Sequence, residues 1–247
     1  MERIISFSLG NIWRWSTSPD RSNLIRYLKT LDISGVEIIF PTEQELTAFR
    51  LSGIDAQWLR DLPYTTIHAP FNLFLSHASK EMILRQLNVI SALCKRIHAK
   101  SVVFHPAPCE QLALLKDLDF NITVENLPPG RHTSIPELRR IFNEYPEFSF
   151  CLDISHAYLW SKYETARLIR EFGNRLSQIH LSGTYRRKSH QSLQSVSRDF
   201  LETIEDIKHL EVPLVIEEDF KIKSVAGVKG ELTFIRGLFN DSCDVTI

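Results

Sequence analysis

Eight short apolar runs, each followed by a longer polar or amphipathic stretch, set the strongest constraint on this chain. They occupy residues 4–8, 35–40, 64–68, 101–105, 121–125, 149–153, 177–181 and 213–217. They are rich in Ile, Val and Phe, the composition of parallel strands buried on both faces. The stretches between them carry helical signals. Residues 79–98 place Met82, Ile83, Leu87, Ile90 and Leu93 close to a 3.6-residue period. Ser134-Ile-Pro-Glu137 has the form of a capping box with an early proline ahead of Leu138 and Ile141. Residues 197–210 repeat the pattern with Phe200, Ile204 and Ile207, and 225–238 form a closing helix weakened by Gly227 and Gly230. Strict alternation demands a parallel sheet, because each parallel pair needs a crossover. Eight such units in 247 residues match the ~250 residues of a (β/α)8 TIM barrel. The expected fold is therefore α/β, one barrel domain over residues 1–247. An open doubly wound sheet would carry a glycine-rich phosphate loop after the first strand. Here that position reads SLGNIWRWS, with neither GxGxxG nor a P-loop lysine.

Composition removes other classes. With 43% hydrophobic and 24% charged residues the chain is not of the disordered type, and no apolar run approaches the ~20 residues of a membrane span. A net charge of −1, from 29 basic and 30 acidic residues, gives no global attraction to nucleic acid or membrane. Cys94, Cys109, Cys151 and Cys243 form no CxxC pair, so reduced thiols are expected rather than a disulfide scaffold or a thiolate zinc site. The opening MERIISFSLG lacks the apolar core of a signal peptide and reads as a strand, which suggests a cytoplasmic protein.

The informative polar residues lie at strand ends. Six of the eight runs close on a residue able to bind a metal: TTIHAP (His68), VVFHPAP (His105), ITVEN (Glu125), FCLDISH (Asp153, then His156), QIHLS (His180) and LVIEED (Glu217). In a barrel these ends open onto one face, where such enzymes keep their active sites. An unpaired buried charge costs several kcal/mol, so six together call for cations. Imidazole and carboxylate without thiolate suit Zn, Mn, Fe or Co, and the set exceeds the four ligands of one tetrahedral ion. Two or three divalent ions are expected. His77, His98, His132 and His209 fall in helices or loops and read as surface or capping residues. Trp13, Trp15, Phe40, Phe71 and Phe74 could line the mouth and stack on a ring-bearing substrate, or pack in the core.

At these motifs the chain resembles the endonuclease IV and xylose-isomerase-like TIM-barrel superfamily, from GVEIIF through VPLVIEED. The resemblance implies that His68, His105 and a bridging Glu125 hold a first metal. Glu125, Asp153, His180 and Glu217 would hold a second, and His156 with His190 a third. The PLVIE match selects Glu217 over Glu218. The family places an Asp two residues before the last His. Here Lys188 stands there, and a protonated lysine cannot ligate, so the third metal would be weak, water-completed or absent. Repair members carry an Asn six residues after the first His, where this chain has Phe74. With the neutral charge, this disfavours DNA as the partner. The dense run Arg186-Arg187-Lys188 offers a phosphate clamp. In the isomerase and epimerase branch one metal suffices, Glu125 and Glu217 move a proton between carbons, and His156 binds the sugar. Glu37 in GVEIIF matches a second-strand glutamate of that branch and is a candidate substrate-binding residue. A branch that cleaves phosphodiester groups on cobamides shares the same glutamate and the H-x-SL segment at His190.

Three readings follow. A multinuclear hydrolase of a small phosphorylated molecule is favoured, because His68, His105 and His190 have no place in a one-metal isomerase. The isomerase or epimerase is the alternative. A binding module without activity is disfavoured, since a buried charged cluster costs stability unless ions occupy it. Neither substrate nor oligomeric state is fixed by the sequence.

Overall fold

A computed structural model describes residues 3–74, 79–130 and 132–240. His77 and Cys243 lie outside them. Eight parallel strands close into a barrel. In chain order they are β1 (Ile5–Ser8), β2 (Gly35–Ile39), β3 (Tyr64–His68), β4 (Val102–Phe104), β5 (Ile122–Glu125), β6 (Ser149–Asp153) and β7 (Leu176–Leu181). An antiparallel hairpin, β8 (Gly183–Tyr185) with β9 (Lys188–Gln191), follows β7, and β10 (Leu214–Ile216) completes the barrel between β7 and β1. All eight predicted runs are barrel strands. The ladder stops one residue short at β4 and β10, so His105 and Glu217 sit on the rim just beyond the last paired residue. The hairpin is the element that period counting missed, because it is short and one-sided.

The helices begin where the sequence supplies caps. Lys80–Ile97 starts after Ser79, whose side chain accepts from the Met82 N–H, and ends at His98 in the left-handed region, φ 52°. Ile135–Glu144 carries the Ser134/Glu137 capping box and its early proline. Arg198–Lys208 starts at Ser197, and Val225–Asn240 closes the chain despite its glycines. Each lays an apolar stripe against the outside of the barrel, where Phe7, Ile67, Phe104, Phe150 and Leu214 are fully buried.

The inside of the barrel is different. Because side chains alternate along a strand, one parity of each strand points inward. That parity carries Ser6, Ser8, Glu37, Thr66, Thr123, Cys151 and Gln178, all buried. Gly35 is required in this layer: a Cβ there would lie 2.2 Å from the Tyr64 carbonyl oxygen and 2.5 Å from Ser6 Oγ. This polar interior lies beneath the rim that bears the candidate ligands. Among the described residues no helix is long and apolar enough to cross a membrane, and Cys94, Cys109 and Cys151 are free thiols.

Candidate metal centre

The strand ends bring the sequence-selected residues together in three overlapping groups: His68, His105 and Glu125; Glu125, Asp153, His180 and Glu217; and Asp153, His156 and His190. Within each group the potential ligand atoms lie within 4.8 Å of one another. Glu125 and Asp153 each belong to two groups. All but His105 and His190 are buried.

Backbone hydrogen bonds decide which ring nitrogens face the centre. A carbonyl oxygen only accepts, so the nitrogen opposite it must carry the proton. His68 Nδ1 donates to Ala69 O (2.9 Å), which leaves Nε2, 3.1 Å from Glu125 Oε2, to carry a second proton toward that oxygen or, without that proton, to offer a lone pair to a cation. His156 Nδ1 donates to Asn126 O (3.1 Å) and His190 Nδ1 to Glu217 O (3.0 Å). Their two Nε2 atoms then face each other at 3.1 Å. Two lone pairs directed at one point need a cation or a proton between them. His190 reaches this position from a left-handed backbone, φ 55°, a conformation that costs a non-glycine residue about 1–2 kcal/mol and marks functional sites.

Asp153 is anchored by one carboxylate oxygen and free at the other. Asp153 caps the helix Ile154–Trp160: its Oδ1 accepts from the His156 N–H (2.7 Å) and from Ser155 Oγ (2.8 Å), while the buried Oδ2 has no partner. Asn126 fixes the same residue through its backbone, donating to Asp153 O and accepting from its N–H, both at 2.8 Å. Glu217 Oε2 lies 2.7 Å from His180 Nδ1 but makes no hydrogen bond, as two ligands converging on a third point would. Unsatisfied buried oxygens beside unprotonated ring nitrogens are the donor set of a divalent cation, so the residues fit such an ion.

Burial raises a carboxyl pKa and lowers that of an imidazole, but here the opposite charges outweigh it. Burial works against the Glu125 carboxylate, yet the imidazoles of His180, His105 and His156 hold it well below its ordinary range. Glu217, against the same burial, is drawn down to about 2 by the charge on His180. Burial would neutralise His156, but Asp153 and Glu125 lift it to about 9. The same competition leaves His180 well above its ordinary value and His68 raised. His105 moves the other way, lowered by burial that its bond to Glu125 does not offset. Without a cation, then, the cluster is neutralised by protons on imidazoles.

The remaining candidate residues lie at different depths and on different surfaces. Glu37, a candidate substrate contact, has no exposed surface. Its Oε2 accepts from Thr66 Oγ1 (3.0 Å) and Gln178 Nε2 (2.9 Å), and its Oε1 lies 3.2 Å from His180 Nε2. It faces the far side of a candidate ligand, beneath the mouth. Gln178 is held in turn by Tyr64 Oη at 2.9 Å. This buried line of Tyr64, Gln178, Glu37 and His180 left no mark in the periodicity, since only the register aligns it. Arg186 and Arg187 form the tight turn of the hairpin, with φ 49° and 61°, and line a surface cavity with Tyr158 and Ser195. Lys188 is exposed at the foot of that turn. The cavity that reaches His190 and Glu217, about 420 Å³, carries Arg14 and Arg21 instead. Of the five aromatic residues, Trp13 and Phe71 line that cavity. Trp15 and Phe40 are core, packed edge-on against Tyr27 and Phe49 at 5.3 Å each, and Phe74 packs toward Phe104. Glu218 turns away from the centre, as strand alternation requires. It accepts from the Leu193 N–H (3.3 Å), and burial beside Glu231 raises its pKa well above the ordinary range.

No protein-family model matches the chain, and no curated protein matches it in sequence. Solved structures do match in shape. Endonuclease IV from Thermus thermophilus is 18% identical over 98% of this chain and 100% of its own, with a TM-score of 0.67. A D-tagatose 3-epimerase-like protein is 16% identical over 96% and 98%, TM-score 0.68. The probable 3-DHS dehydratase AsbF from Bacillus anthracis is 12% identical over 94% and 98%, TM-score 0.72. Likeness at these identities is likeness of fold, and the fold shared with these structures is the closed (β/α)8 TIM barrel.

Proposed function

We propose that the protein is a metal-dependent hydrolase of small phosphoesters or phosphodiesters. The observation that carries this reading is the size of the cluster: three overlapping donor groups joined by Glu125 and Asp153, more than one ion can use. His68, His105 and Glu125 would hold one ion, and Glu125, Asp153, His180 and Glu217 a second. Asp153, His156 and His190 would hold a third, with Asp153 taking the place of the ligand that Lys188 cannot provide. Divalent zinc, manganese or iron bound there would supply Lewis acidity toward phosphoryl oxygens and water. The chain's own residues do the rest. Glu217 lies on the cavity wall and is held ionised, so it orients the attacking water and accepts its proton. Water adds to phosphorus as the ester P–O bond breaks, and the alcohol leaves with the proton that Glu217 took from water. A small molecule fits better than DNA, because the net charge is −1 and phosphate-backbone binding needs clustered free cations. Two or more metal equivalents per chain, with hydrolysis of bis(p-nitrophenyl) phosphate lost in Glu125→Gln, is the expected result. Turnover intact in that variant would refute the proposal.

One observation favours a second reading. Glu125, Asp153, His180 and Glu217 by themselves complete a four-donor site, and the epimerase-like protein shares the fold. A sugar or sugar-phosphate isomerase would use Glu125 and Glu217 as its acid–base pair. It predicts one metal per chain, retained in His68→Ala and His190→Ala, and solvent deuterium entering the substrate carbon.

A further inference from the structure

The cavity beside the cluster has an unusual wall. Phe71, in the loop after β3, lies flat on His105 with ring centroids 5.0 Å apart and planes 8° from parallel, and edge-on to His68 at 5.1 Å. It remains 41% exposed and lines the cavity. Trp13, 37% exposed, lines the same space from the 3-10 helix after β1 (Leu9–Trp15), with Leu9, Ile39 and Pro41 between. Large aromatic surface left open within reach of buried candidate ligands is informative in a way that scattered surface leucines are not.

The cations on that wall are already engaged. Arg14 makes a forked contact with Asp219, at 2.9 and 3.0 Å, and its guanidinium lies 4.2 Å from the Trp13 ring centre. Arg21 Nε donates to Glu45 at 2.9 Å. Both guanidinium groups lie over the Trp13 ring, so they brace the indole and leave no free positive charge for a second anionic group. A bare sugar would need hydrogen-bonding side chains along its ring, and this wall is mostly hydrocarbon and aromatic.

We propose that the space between Trp13 and Phe71 is a stacking slot, and that the substrate is an ester of a single phosphate bearing a planar ring of aromatic or nucleoside type. The slot rests on the hydrolase reading only in assigning the phosphoryl group to the metals. The ring lies in the slot, over the open face of Phe71, while the ester linkage reaches Glu217 and His190.

The test is equilibrium binding, by titration calorimetry on the full-length metal-loaded protein, of AMP against ribose 5-phosphate. The two share phosphate and sugar and differ only in the base. Stacking on an exposed aromatic ring predicts AMP tighter by at least about fivefold. Phe71→Leu and Trp13→Leu, which keep apolar bulk but remove the flat face, should each erase most of that preference. Metal content measured on each variant distinguishes a lost platform from a disturbed His105. Equal binding of the two ligands, no AMP binding in the millimolar range, or a preference surviving both variants would overturn the slot. The hydrolase reading fails separately: an AMP preference without turnover of any phosphomonoester or phosphodiester would keep the slot and discard that reaction.

Discussion

Glu37→Gln tests how the barrel interior prepares the centre above it. His180 Nδ1 faces Glu125 (3.2 Å) and Glu217 (2.7 Å), so Nδ1 is the atom that would bind a metal and the ring proton must sit on Nε2. The Glu37 carboxylate, with Oε2 3.3 Å and Oε1 3.2 Å from Nε2, is the acceptor for that proton, and it outweighs the Gln178 amide nitrogen that lies 2.9 Å from the same ring atom. Glutamine keeps the volume and one acceptor oxygen. Thr66 and Gln178 both donate to the position of Oε2 and will claim that oxygen. The new NH2 group then faces His180 Nε2 and favours the tautomer with its proton on Nδ1. Loss of such an orienting partner typically weakens metal affinity about 10–100-fold, which is about 1.4–2.7 kcal/mol of metal-linked stability when metal saturates the wild type. At ~2–4 °C per kcal/mol for a chain of this size, the rise in Tm on adding metal should shrink by about 3–11 °C. The assay is thermal unfolding of chelator-treated protein with and without added zinc or manganese, together with elemental analysis. An unchanged metal-dependent rise in Glu37→Gln would show that Glu37 does not set the His180 tautomer.

Further outcomes follow from the same structure. In chelator-treated protein His156 has a folded pKa of about 9 against 6.5 when free, so its stabilisation is complete below pH 6.5 and lost as pH rises through 9. Glu217, at about 2 against 4.5, contributes above pH 4.5 and loses that contribution as pH falls through 2. Denaturant midpoints across pH should therefore be highest between those limits, and His156→Gln should flatten the alkaline side. Metal affinity should climb with pH over the same alkaline range, because ligation needs neutral imidazoles, and calorimetry in buffers of different ionisation enthalpy would reveal the released protons. Phe150, with no exposed surface and packed on Phe142 and Phe172 at 5.9 and 5.4 Å, should cost about 3–5 kcal/mol on change to alanine. A urea-unfolding loss under about 1 kcal/mol would contradict that packing. Arg187→Gly relieves a left-handed residue in the hairpin turn and should stabilise by about 0.5–1 kcal/mol without lowering turnover. A large loss of kcat/KM would instead return Arg187 to the substrate.

The sequence alone determined the barrel and the identity of the cluster. Parallel strands buried on both faces must be short apolar runs, helices must carry one apolar stripe, and strict alternation leaves few topologies. Because every barrel strand ends on the same rim, a His, Glu or Asp at its last residue is placed in space by topology. That is why His68, Glu125, Asp153 and His180 could be read from the chain with no distance in hand. Ser134 and Glu137 were legible for a similar reason, since a cap acts within four residues. What only the tertiary structure decided depends on register and backbone direction between distant segments. Glu37 reads as a candidate substrate contact, and only the pairing of Glu37 with Thr66 places it one layer down, against His180. Arg186 and Arg187 read as a clamp until β8 and β9 pair and turn them onto another surface. Trp13 and Phe71 differ from Trp15 and Phe40 only in where their loops run, and no local pattern encodes that. Helix, strand and cap are set by contacts within a few residues. The tautomer of His180 is set by a residue 143 positions away and the wall of the cavity by residues 205 positions apart, which meet only when the barrel closes.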